Sequence, residues 1–87
     1  MEEINITPAS HNLFMAYARD AGNWSGSPLV GGNVGGSKED RGNITHLKKL
    51  GLVKTDYDEG NTWLIFTAKG RKYAAEHGIE IEAPYTG

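Results

Sequence analysis

Apolar positions along this chain follow two periods, and the changes from one to the other mark its elements. Leu13, Phe14, Tyr17, Ala18 and Ala21 recur at the three- and four-residue spacing of one helix face. Ser10 is placed to cap that helix over residues 10–21, Gly22 to stop it, and Arg19 and Asp20 to stay on the solvent side. A second helix is predicted over residues 38–50, with Ser37 as cap, Gly51 as stop and Ile44, Leu47 and Leu50 as its buried stripe. Period two then takes over: residues 52–56 and 62–66 read as strands, and the polar run 57–61 closes them into a hairpin. In the second strand Leu64 and Phe66 alternate with Trp63 and Ile65, so one pair should enter the core and the other face outward. Thr67 opens a third helix over residues 68–77, stopped by Gly78.

At the two ends, Ile4 with Ile6 and Ile79 with Ile81 alternate with polar residues and form candidate short terminal strands. They would pair with each other or with a second copy of the chain, the latter giving a homodimer. The whole pattern predicts a small α+β fold of three helices with a hairpin in the C-terminal half, organised as one domain over residues 1–87.

Between the first two helices lies a glycine- and serine-rich connection, residues 22–37, interrupted by Trp24 and by Pro28-Leu29-Val30. Those apolar residues predict an ordered segment pinned to the core edge. The glycines raise a second idea, a phosphate-cradling loop. Gly31 and Gly36 have the separation of a P-loop, but Ser37-Lys38 follow in the reverse of the required order. No G-x-G-x-x-G occurs here, so the glycines are read as tight backbone turns.

Length and composition narrow the function classes. Eighty-seven residues with 38% hydrophobic content suit one modest core, and without cysteine there is neither a disulfide nor a thiolate metal site. No apolar run approaches the ~20 residues of a spanning helix, and the acidic start MEEINITPAS lacks the apolar centre of a secretory signal. A cytoplasmic protein without membrane association is expected. His11, His46 and His77 show no ligand spacing, and no nucleophile–base arrangement can be nominated. The reading is therefore of a non-enzyme with no cofactor and no metal.

Charge distribution is more informative than the net charge of −2. Residues 38–72 hold eight of the nine basic side chains against five acids, whereas the segments on either side are net acidic. With ~100° of turn per residue, Lys38, Arg41, Thr45, Lys48 and Lys49 fall on one side of the second helix, away from Ile44, Leu47 and Leu50. Glu39 and Asp40 lie toward the buried side, in the first turn, where acids favour the helix dipole. Four cations and a threonine on one face suit the major groove of double-stranded DNA, where Lys and Arg reach phosphates or guanine and Thr probes a base. A solvated helix face is the plain alternative. Lys69, Arg71 and Lys72 form a second basic group on the third helix.

The stretches ITHLKKLGLVKT, DYDEGNTWLIF and TAKGRKYAAE together resemble winged-helix DNA-binding domains, MarR-like bacterial regulators among them, over about residues 38–77. The resemblance implies a winged-helix domain that regulates transcription, with residues 38–49 as recognition helix, 57–61 as wing tip and 10–21 as first helix. Two features depart from that family: residues 22–37 replace the helix that normally precedes the recognition helix, and Asp56, Asp58 and Glu59 make the wing acidic. Phosphates would repel such a wing. Either it stands clear of the duplex, or the chain is instead a protein-interaction module, an adaptor or a phage- or plasmid-encoded inhibitor, using its acidic wing and ends.

Overall fold

A computed structural model describes residues 5–24, 26–32 and 34–81. The elements run α1 (Pro8–Asp20), a 3-10 turn (Ala21–Asn23), α2 (Lys38–Lys49), β1 (Val53–Asp58), β2 (Asn61–Phe66) and α3 (Ala68–Glu76). This is a small α+β fold with three helices and an antiparallel hairpin in the C-terminal half.

Helix α1 starts earlier than its apolar pattern suggests. Thr7, not Ser10, is the cap: its hydroxyl accepts from the Ser10 amide at 3.2 Å, and Pro8 occupies the first turn, where a missing N–H costs nothing. Ser10 is buried, and its hydroxyl donates to Asn43 Oδ1 at 3.1 Å, tying α1 to α2. Asp20 also departs from expectation. It is 7% exposed, because the chain turns directly after it and brings back Asn23 Nδ2, at 3.0 Å, and the Trp24 indole N–H, at 2.9 Å, to donate to its carboxylate.

Ser37 caps α2 as its sequence implies, accepting from the Asp40 amide at 3.0 Å, and Gly51 follows the helix with φ +78°. The hairpin turn is tighter than the polar run indicated. Glu59 (φ +50°) and Gly60 (φ +83°) form a two-residue loop in which both residues are left-handed, matching the twist of the flanking strands. Tyr57, Asp58 and Asn61 are therefore strand residues, in the register Val53↔Phe66 through Asp58↔Asn61.

Residues 28–30 extend the sheet. Val30 donates to the Thr62 carbonyl at 2.9 Å, Leu64 donates to the Pro28 carbonyl at 2.8 Å, and Leu29 forms an antiparallel bridge with Trp63. Thus β2 lies between β1 and this short segment. Leu64 and Phe66 enter the core, while Trp63 and Ile65 are half-buried on the opposite face, where the Trp24 ring meets Trp63 edge-on at 5.7 Å.

Phe14, which has no exposed surface, stands edge-on to both Phe66 and Tyr73 at the centre of the core. Leu47, Leu52, Leu64 and Ala74 complete it from four directions. Ile6 and Ile79 pack partly against the core and Ile81 is buried, without a strand at either place among the described residues. Ile4, Glu82 and Pro84, which belong to the expected terminal strands, lie outside the described residues. Among the described residues no helix is long and apolar enough to cross a membrane.

Candidate nucleic-acid interface

Helix α2 buries Ile44 and Leu47 and leaves Lys38, Arg41, Thr45, Lys48 and Lys49 exposed. Helical geometry spreads these five over roughly 100° of arc, so they form one surface. Asp40 is turned inward toward α1, near enough that its charge is felt at the buried Tyr17 hydroxyl. Asp40 is thus set apart from the cations in the folded helix, while Glu39 is exposed in the first turn.

Three of the five border a groove of about 590 Å³ between α2, the hairpin and residues 29–31. Arg41, Thr45 and Lys48 form its helical wall, with Thr55 and Thr62 opposite. Lys38 and Lys49 lie outside it, toward the two ends of α2. Lys48 Nζ reaches across to Thr55 Oγ1 at 3.4 Å. The Thr45 hydroxyl donates back to the Arg41 carbonyl at 3.1 Å, so its oxygen remains available as an acceptor and its methyl as an apolar contact. That combination suits a base amino group or a thymine methyl.

Alternation along the hairpin decides where its acids stand. Thr55, Tyr57 and Thr62 share a face with core residues Val53, Leu64 and Phe66, the face that borders the groove. Asp56 and Asp58 therefore occupy the opposite face, and Glu59 sits in the turn. Tyr57 is 73% exposed at the far end of the groove-side face. In sequence the tip is simply acidic. Folded, its strand acids point away from the α2 cations.

The second basic group is divided by its contacts. Arg71 Nη1 donates to the Phe66 carbonyl at 3.1 Å, which serves the junction of β2 and α3, and Lys72 is exposed. The glycine segment is accounted for by packing. Gly31, Gly35 and Gly36 all have positive φ, and a Cβ on Gly35 would overlap the Tyr17 hydroxyl beneath it. Burial, reinforced by the charge of Asp40 and opposed by the Gly31 backbone amide, pushes the pKa of that hydroxyl up to about 12.

One cluster lies outside the reach of sequence spacing. His11 on α1 and His77 at the end of α3 come together around Tyr73, their ring centroids 5.0 Å apart. Nothing in the intervals between these residues signals the meeting, because it depends on α1 packing beside α3.

No family model, curated protein or solved structure matches this chain.

Proposed function

We propose that this chain is a small winged-helix DNA-binding protein, a cytoplasmic transcriptional regulator that lays α2 in the major groove of double-stranded DNA. The supporting observation is the continuous exposed face of Lys38, Arg41, Thr45, Lys48 and Lys49 beside a groove whose hairpin wall is lined by threonines. Lys38 and Lys49, at opposite ends of the helix, neutralise backbone phosphates. Arg41 and Lys48 contact phosphates or guanine edges, and Thr45 meets a base. The order of helix, short strand, helix, hairpin and helix accommodates a winged-helix reading, with residues 31–37 as a non-helical replacement for the missing helix. Nothing in this mechanism needs catalysis or a cofactor.

The test is a titration with random-sequence duplex at several salt concentrations. With all four cations on phosphates the log–log salt slope is about −3 to −4, and Arg41→Ala with Lys48→Ala should then remove about half of it and in either case weaken binding. Folding is checked in parallel by circular dichroism. Duplex binding that keeps its affinity and salt slope in the double variant overturns the assignment.

The outward acids Asp56 and Asp58, with exposed Glu59, favour a second reading, a protein-interaction module that engages a basic partner. The two separate on heparin at low salt: the DNA-binding protein is retained, and the acidic module flows through.

A further inference from the structure

The His11–Tyr73–His77 cluster sets two imidazoles beside each other around one tyrosine. His77 donates its Nδ1–H to the Tyr73 carbonyl at 2.8 Å, which fixes the tautomer and leaves Nε2 as the free lone pair. His11 Nδ1 is bonded to the Tyr73 hydroxyl, and with Nδ1–H donating to that oxygen its Nε2 is free as well. A single tyrosine thus engages the δ-nitrogen of both rings. Orientation of one imidazole nitrogen by an oxygen while the other binds metal is the usual arrangement around ligating histidines.

The separation of the rings leaves room for an ion between them. With a metal–nitrogen bond near 2 Å, each ring centroid sits about 3.2 Å from the ion, and a tetrahedral angle then separates two centroids by about 5.2 Å. The observed separation is 5.0 Å, with the planes tilted by 58° rather than stacked.

We propose that His11 and His77 form a two-nitrogen site for a borderline divalent transition metal ion such as Zn²⁺ or Ni²⁺, clamping α1 to α3. Among the described residues no set of three or more His, Asp or Glu side chains is gathered, so the remaining coordination positions take water or a group from outside the chain. The site is open and exchangeable, unlike a closed structural zinc centre. It shares no residue with the α2 surface and stands whether or not the DNA reading does.

The experiment is an NMR titration of the untagged full chain with Ni²⁺, followed by paramagnetic broadening of backbone amides. Broadening should begin around residues 11, 73 and 77. His11→Asn and His77→Asn should each weaken binding at least tenfold, since loss of even an outer-shell partner costs roughly 10–100-fold. Tyr73→Phe, which removes only the oxygen that orients His11, should weaken it about tenfold on the same grounds. His46→Asn should leave it unchanged. Zn²⁺ should raise the thermal midpoint of the wild type and not that of His77→Asn, whose exposed position makes it the safer variant for folding. Broadening centred elsewhere, or affinity within threefold of wild type in either histidine variant, overturns the proposal.

Discussion

The Thr67 hydroxyl donates to the Gly51 carbonyl at 2.6 Å while accepting from the Gly70 amide at 3.0 Å. One side chain therefore caps α3 and holds the residue that ends α2. Three residues on, Gly70 lies so close to the Leu52 carbonyl that a Cβ would overlap it. Thr67-Ala68-Lys69-Gly70 is thus a junction in which the threonine supplies the hydrogen bonds and the glycine the room. Thr67→Ala should cost about 1–2 kcal/mol, the range of a lost helix cap. Gly70→Ala should cost at least as much, because backbone has to move in a packed core. Urea denaturation measures both, and a Thr67→Ala loss below 0.5 kcal/mol would contradict the junction's role.

Tyr17 gives the chain an alkaline limit. Its hydroxyl is buried, with a pKa raised from 10.0 to about 12, so the folded state holds its proton longer than the unfolded state. The stabilising effect is complete below pH 10 and is lost as pH rises from 10 toward 12, because there the unfolded chain binds fewer protons. Tyr73 is raised in the same direction, chiefly by burial, and adds to the slope. Tyr17→Phe should flatten the fall in stability over that window. At pH 7 its effect should be small, within about 1 kcal/mol, since the desolvated hydroxyl has at most a weak backbone partner to lose. Denaturant midpoints at pH 7, 10 and 11 decide the matter, and an unchanged alkaline slope would refute it.

Gly35 and Tyr17 should be energetically coupled. Gly35→Ala forces a side chain onto a residue with φ +80° and drives its Cβ into the tyrosine hydroxyl. The left-handed backbone alone costs on the order of 1 kcal/mol, and the overlap adds to it. In a double-mutant cycle, Tyr17→Phe should relieve the part of the overlap made by the hydroxyl, leaving a 2.9 Å approach to ring Cζ and the backbone cost in place. Purely additive effects would mean that the two residues do not press on each other.

What could be read in advance follows the range of each interaction. Ser37 and Thr67 were legible as caps because a cap bonds an amide three residues ahead. The α2 face was legible because helical rotation depends only on sequence spacing. Ser10 yields the cap to Thr7 because Thr7-Pro8 supplies a second start signal three residues earlier. Asp20 is buried against its polar pattern because the turn that returns the Trp24 indole to it is not encoded in the helical period. The groove arises only from tertiary packing: Thr55 and Thr62 come opposite Arg41 and Lys48 when the hairpin packs beside α2, and residues 28–30 join β2 across more than thirty residues of chain. For the same reason His11 and His77 could be placed together only by the packed helices.

The two faces of the hairpin should respond differently to charge. Asp56→Asn and Asp58→Asn lie on the side away from α2, so they should change duplex affinity no more than about threefold, through a field that salt screens within ~10 Å. Thr62→Glu instead places a carboxylate within the groove, opposite Arg41 and Lys48. It should reduce affinity more than tenfold, because like charge facing a phosphate costs over 1.4 kcal/mol where water is partly excluded. Measured side by side at one salt concentration, these variants test whether the groove or the hairpin's net charge governs binding. If the two asparagine variants strengthen binding as much as Thr62→Glu weakens it, the strand acids face the duplex and the sidedness of the hairpin has no bearing on recognition.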